Sequence, residues 1–228
     1  MDAVIKVGGS LAENPVELRI FCNKLSEYAQ RYDLVVVPGG GRFADVVRDY
    51  DCDFRLSSTK SHKMAILGMD QFALLLTDII PRSRLIRTYK NLNTRSGGGE
   101  VRILSPSAVL FRENPLENSW EVTSDSITAY IAGQLCAEKV ILVTDVDGVF
   151  SKDPKLHSDA KLIPKISAER LLSLNRRTSV DLFLPKLLLK YSLSCYVVNG
   201  KYPERIGSVL SGGEVPCTQI MPQARLTI

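Results

Sequence analysis

The sequence predicts an α/β protein built on a mostly parallel sheet covered by helices on both faces. Three observations lead there. Short β-branched runs such as Ala3–Val7, Leu34–Val37 and Val140–Val143 alternate with longer stretches whose apolar residues recur at helical spacing. Two of those runs pass directly into glycine-rich turns, as strands do at the carboxyl edge of an open parallel sheet, where such sheets bind ligands. The length of 228 residues, with 45% apolar and 24% charged content, suits one large domain, or two lobes sharing a sheet, with a sizeable core.

Taken in order, Ala3-Val4-Ile5-Lys6-Val7 forms the first strand and Gly8-Gly9-Ser10 its exit turn. Bare glycines let main-chain N–H groups approach an anion closely, and a following helix N-terminus adds its positive dipole end. Lys6 adds a mobile charge for phosphates; the plainer alternative is an edge strand with a snorkelling lysine. Pro15–Tyr32 is helical, with Leu18, Phe21, Leu25 and Tyr28 on one face. Leu34–Val37 is the second strand. Pro38-Gly39-Gly40-Gly41 ends it, exposing a row of donors before a helix over Arg42–Tyr50. Neither turn has Walker A spacing or the G-x-G-x-x-G dinucleotide pattern, so together they predict a polyphosphate cradle of another kind.

A long helix is predicted over Ser58–Ile80, then strands at Leu85-Ile86 and Val101–Leu104, separated by a polar loop containing Gly97-Gly98-Gly99. Ser105-Pro106 opens a short helix, with proline at its favoured early position. A further helix, capped by Thr123-Ser124-Asp125-Ser126, runs to about Ala137. Val140–Val143 and Cys195–Val198 are strands, and Pro216–Ile220 is expected at a sheet edge. A soft division near Asn118 separates halves of about 1–118 and 119–228.

Composition narrows the function classes. A net charge of +4 from dispersed basic residues does not describe a nucleic-acid binder. No apolar run approaches the roughly 20 residues that span a bilayer, and no basic-then-hydrophobic signal pattern is read. Five cysteines without a CxxC pair, beside only two histidines, predict free thiols in a reducing cytoplasm and no structural zinc site.

Thr144-Asp145-Val146-Asp147-Gly148-Val149-Phe150-Ser151-Lys152-Asp153-Pro154 follows the Val140–Val143 strand, placing a hydroxyl and carboxylates where the sheet edge meets a ligand. Val149-Phe150 offers an apolar shelf for a base ring, although Asp-Gly and Asp-Pro also make plain turns. Lys6-x-Gly8-Gly9-Ser10, Pro38-Gly39-Gly40-Gly41, Thr123-Ser124-Asp125-Ser126 and Thr144-Asp145-x-x-Gly148-Val149-x-x-x-Asp153-Pro154, in that order, resemble the amino acid kinase family over about residues 3 to 200. The resemblance implies a three-layer αβα sandwich, an acceptor in the N-terminal half, and ATP with Mg2+ in the C-terminal half. By the same resemblance, Lys6 bridges the transferred phosphoryl group and the leaving diphosphate, and Asp125 orients Lys6. N–H groups of Gly8, Gly9, Gly40 and Gly41 hold the phosphoryl group and the acceptor's reacting end. Thr144, Asp145, Val149, Phe150, Asp153 and Pro154 shape the nucleotide pocket, with Ser10 beside the phosphates. Such a design suits phosphoryl transfer, in which catalysis is mainly positioning and charge neutralisation.

One departure narrows the acceptor. Family members that phosphorylate carboxylates carry a second lysine near the start of the helix before the last central strand. Here that helix is expected to open at Ser179-Val180-Asp181, so Asp181 stands near that place among the catalytic residues, with Lys186 a turn further on. The acceptor is therefore read as a small phosphate monoester, whose own oxyanion attacks without a general base. Cations must offset the approach of two anions. Arg42, Arg48, Arg55, Lys60, His62 and Lys63 are the candidates, with solvated-face roles favoured for Arg55 and Lys63. His62 resembles an acceptor-side histidine of isopentenyl phosphate kinases, or is a surface or capping residue. Trp120 packs on a flat acceptor or in the core.

The Gly39–Arg42 turn, His62, Trp120 and Thr123 thus make up the expected acceptor site. The Ser119–Ser126 run, Ser61-His62-Lys63 and the stretch from Val198 to Arg205 most resemble a branch serving methanofuran-type cofactor synthesis. That branch converts [5-(aminomethyl)furan-3-yl]methyl phosphate to its diphosphate, and Glu121, Asp49 or Asp51 would then receive the amine. The alternatives are a UMP or isopentenyl phosphate kinase, or a non-catalytic nucleotide sensor or storage protein. A homo-oligomer is expected, as among the relatives.

Overall fold

The computed structural model describes residues 1–89, 91 and 99–223. Eight strands form one sheet: β1 (Ala3–Val7), β2 (Leu34–Pro38), β3 (Ser83–Ile86), β4 (Val101–Leu104), β5 (Lys139–Thr144), β6 (Lys165–Ser167), β7 (Ser194–Asn199) and β8 (Thr218–Met221). Their spatial order is β3-β4-β2-β1-β5-β7-β8-β6. Pairing is parallel from β3 through to β7, where β8 enters antiparallel and carries β6 parallel to itself. The helices are α1 (Pro15–Ala29), α2 (Gly41–Phe54), α3 (Ser58–Ile79), α4 (Ser107–Glu113), α5 (Ser124–Gln134), α6 (Ala168–Ser173), α7 (Leu184–Tyr191) and α8 (Glu204–Ser211). The result is the three-layer α/β sandwich.

Period-two alternation in β1 sets up the site. Ala3, Ile5 and Val7 face a core shared with α1 and α8, whereas Val4 faces the opposite core with α5 and α7. Lys6 shares the Val4 face, so it points toward α5. Both faces are filled by side chains with essentially no exposure, among them Ile5, Leu25, Phe72 and Leu142. Each such burial contributes about 1.5–3 kcal/mol before conformational entropy is subtracted. The register aligns Val7 with Pro38 on one side and Val143 on the other, so both glycine turns and the Thr144 segment leave the same sheet edge together.

Several expectations need correction. The Thr218–Met221 strand lies between β7 and β6 rather than at an edge. The edge strand on that side, β6, is three residues carrying Lys165 and Ser167, too short to show a period. The helix expected at Ser179 begins at Leu184, because Pro185 belongs in a first turn and the preceding residues bend. Of the predicted glycine loop, Gly97 and Gly98 lie outside the described residues.

Candidate active site

The two glycine turns are packed against each other, which explains their composition. A Cβ on Gly9 would lie 2.2 Å from Gly41 Cα, and Gly41 itself has φ +52. No side chain fits at the first position, and the second needs left-handed backbone. Gly8 and Gly39 do not offer their N–H groups to a ligand, contrary to expectation for Gly8. Gly8 N donates to Val143 O at 2.9 Å and Gly39 N to Val7 O at 2.8 Å, extending the sheet ladder. The N–H groups of Gly9, Gly40 and Gly41 meet no main-chain acceptor among the described residues. Gly40 caps α2 without a side-chain bond, so that helix N-terminus stays open toward the cavity.

Beside these donors, Lys6 Nζ lies 2.8 Å from Asp125 Oδ1, with side-chain exposures of 12% and 8%. Asp125 occupies the first turn of α5, over the face of β1 from which Lys6 projects. Its other oxygen accepts from the Asp181 N–H at 3.1 Å. The Asp181 carboxylate is in turn held by Thr123 N and Oγ1, Ser126 N and Oγ, and Leu184 N, at 2.6–3.0 Å. Burial, and secondarily the Asp125 charge, pushes the Asp181 carboxyl up; the Ser126 and Thr123 donors oppose that shift. Asp181, read from sequence among the catalytic residues, lines neither cavity. It is a positioning residue that joins the starts of α5 and α7 and fixes Asp125.

Lys6, the Gly8-Gly9-Ser10 and Gly40-Gly41 turns, and Asp125 border a cavity of about 370 Å³. Arg42, His62, Trp120 and Thr123 line it as well. Trp120 is half-buried rather than a core residue; its indole donates to Asp51 Oδ2 at 2.7 Å, and the Arg48 guanidinium lies 4.8 Å from its ring centre. His62 is buried, and desolvation lowers its imidazole below the ordinary value, partly offset by a hydrogen bond with the Ser119 main chain. It therefore presents a neutral ring at pH 7. Arg42 is an exposed rim residue paired with Glu13. Arg55, Lys60 and Lys63 do not line the cavity, and Lys63 sits over Phe111 at 5.6 Å.

A second cavity, of about 270 Å³, opens along Thr144, Asp145, Phe150, Asp153 and Pro154. Val149 departs from expectation: it has no exposure and belongs to the core, its N–H bonded to Thr218 Oγ1 at 2.7 Å. Gly148 is forced by the same contact, since a Cβ there would lie 2.3 Å from Thr218 Oγ1. Burial alone would raise the Asp145 carboxyl, but the Lys155 ammonium at 2.5 Å and the Thr144 hydroxyl hold it below the usual carboxylate range. Thr144, Arg177 and Ser179 line both cavities, so the two spaces adjoin at these residues.

Sequence reasoning missed Glu13, Asp45, Arg177 and Ser179. The first two are the cavity's carboxylates besides Asp125, whereas the expected Glu121, Asp49 and Asp51 lie outside its lining. Nothing in the sequence marks them, because Asp45 reads as a solvated position of an amphipathic helix and Arg177 as part of a polar loop.

A lysine steadied by a carboxylate, with open main-chain donors on two turns and a second cavity adjoining the one they border, defines a site for passing an anionic group between two bound molecules. The comparisons agree. The model of the Amino acid kinase family matches residues 1–183, and the chain belongs to that family. It is 36% identical over 223 residues to the [5-(aminomethyl)furan-3-yl]methyl phosphate kinase of Methanocaldococcus jannaschii, covering 96% of this chain and 97% of that protein. The uridylate kinase of Archaeoglobus fulgidus is 27% identical, covering 94% and 98%. Its crystal structure superposes with a TM-score of 0.77 at 25% identity, covering 96% of this chain and 100% of that one. The UMP kinase of Bacillus anthracis shares the fold at 20% identity, with a TM-score of 0.76 and coverages of 98% and 96%.

Proposed function

We propose that this protein transfers the γ-phosphoryl group of ATP to a small phosphate monoester, giving a diphosphate, and that the acceptor is [5-(aminomethyl)furan-3-yl]methyl phosphate. The observation that carries this reading is the Lys6–Asp125 pair bordering the larger cavity, which shares Thr144, Arg177 and Ser179 with the second. The larger cavity takes the acceptor and the other takes the nucleotide, with Phe150 against the base and Lys152, Lys155 and Arg176 near the phosphates. The acceptor phosphate arrives as an oxyanion, so no base is required. One P–O bond to ADP breaks as one to the acceptor oxygen forms, and Lys6 with the Gly9, Gly40 and Gly41 donors receives the equatorial charge.

Magnesium would enter on the triphosphate and supply charge neutralisation there.

The particular acceptor is supported by the name of the M. jannaschii relative and by the chemistry of the cavity. Asp45 and Glu13, paired with Arg48 and Arg42, are the carboxylates an aminomethyl group would meet at the wall, and Trp120 offers a ring to a furan. A volume of about 370 Å³ whose wall carries both cations and carboxylates suits a compact acceptor bearing a phosphate and an ammonium better than a prenyl chain. The uridylate kinase relatives favour UMP as the second reading. Incubating the protein with ATP, Mg2+ and each of furan phosphate, UMP and isopentenyl phosphate, and following products by phosphorus NMR, decides among them. Diphosphate formed from the furan phosphate alone supports the reading; turnover of UMP alone replaces it.

Five unpaired thiols accord with a cytoplasmic setting, and no helix among the described residues is long and apolar enough to cross a membrane. As the family resemblance of its sequence implies, the protein would act as a homo-oligomer.

A further inference from the structure

We propose that Arg177 is a catalytic cation that spans the two cavities and neutralises the phosphoryl group during transfer. This deepens the kinase reading and rests on it.

The argument begins with where the positive charges go. In the acceptor cavity, Lys6 is held by Asp125 at 2.8 Å, Arg42 by Glu13, and Arg48 by Asp45 at 2.6 Å. In the other cavity, Lys152 is held by Asp159 at 2.7 Å, Lys155 by Asp145 at 2.5 Å, and Arg176 donates to Ser151 O at 2.7 Å. Each of these cations already has a hydrogen-bond partner, a carboxylate or, for Arg176, a carbonyl. Arg177 alone among the described cations lining either cavity has no hydrogen bond or ion pair, and it alone lines both. Its companion at the junction, Ser179, carries a buried Oγ without a partner.

Lys6 with Asp125 carries no net charge, yet two phosphates must meet beside them. At close range in a partly desolvated site they repel strongly, and a cation not already paired within the protein offsets that repulsion alongside magnesium. A guanidinium suits the task, since its planar fork donates to two phosphoryl oxygens at once. Lys186, the other candidate raised by the sequence, lies 4.9 Å from the Phe183 ring centre and lines neither cavity.

In the step proposed, the bond from the γ-phosphorus to the ADP oxygen breaks and the bond to the acceptor's phosphate oxygen forms. ADP leaves as the anion, and no proton moves. Arg177 donates to equatorial oxygens of the group in transit, with the Ser179 hydroxyl as a second donor.

Steady-state kinetics of R177A, R177K, S179A and the control K186A test this. R177A should lose about 10²-fold in kcat with KM for ATP changed only severalfold, as expected for an interaction made in the transition state. R177K should recover part of the loss, and added guanidinium ion should stimulate R177A but not wild type. K186A should keep its kcat, and thermal melts of R177A should match wild type because the side chain is exposed. Unchanged kcat in R177A, or a loss confined to KM for ATP, would overturn the role of Arg177 and leave the kinase reading standing. A wild-type protein that transfers phosphoryl to none of the phosphate monoesters would overturn both.

Discussion

Two buried ion pairs stand at opposite ends of the same parallel strands, and they are built differently. At the amino end, Arg102 of β4 meets Asp33, just ahead of β2, at 2.5 Å, with no exposure of the arginine side chain. A further bond to Leu34 O and a contact with Met1 Sδ enclose the guanidinium. At the carboxyl end, Lys6 and Asp125 are nearly as buried but border a cavity, with unused main-chain donors close by. Charges alike in burial thus have opposite surroundings. A closed pair can only hold the fold together, whereas an open pair retains capacity for an incoming anion. The difference arises from the glycine turns, which remove the side chains that would have filled the space above Lys6.

Breaking the open pair should produce the largest effect. Lys6→Met is expected to lower kcat by about 10³-fold, because a charge aimed at the group in transit is lost. Its melting temperature should fall less than that of the closed-pair variant, since Asp125 keeps its bond from Asp181 and borders the cavity. Parallel kinetics and calorimetry check both parts. Arg102→Met should do the reverse, costing about 3–5 kcal/mol of stability by leaving Asp33 with an uncompensated charge. The folded fraction should keep wild-type kcat. If Arg102→Met impaired turnover in proportion to Lys6→Met, the separation between the two pairs would fail.

Gly9→Ala lies between these cases. Its methyl must displace Gly41 main chain, at a cost of about 1–3 kcal/mol. Shifting the two turns apart should also abolish most turnover, and urea unfolding with a single-turnover assay would read both.

The smallest effect expected is on acid stability, through His62. Its folded pKa is depressed, so between that value and the ordinary one near 6.5 the unfolded chain binds the proton more readily. Stability should therefore rise with pH through that window and fall on acidification. His62→Gln should flatten this limb in denaturation curves taken across pH; an unaltered limb would show that another group sets it.

Much of this architecture could be read in advance because it is local. β-branched runs ending in glycines, the Thr123 cap, and the Lys6, Asp125 and Asp145 motifs each carry their meaning within a few residues. Asp181 was recognised by position, yet its use as a bridge between two helix starts depended on residues 55 to 58 positions away. Arg177 and Asp45 gave no local sign, since a charged residue in a polar segment reads the same whether it faces solvent or a cavity.

The chain's order of strands, glycine turns and capped helices was sufficient to specify the layered sheet and to name the lysine at its edge. Which main-chain donors stay open, which carboxylates border the larger cavity, and which arginine lines both cavities were decided only by packing. Those properties depend on distances between segments far apart in sequence, and such distances exist only once the sheet has brought its strand ends together.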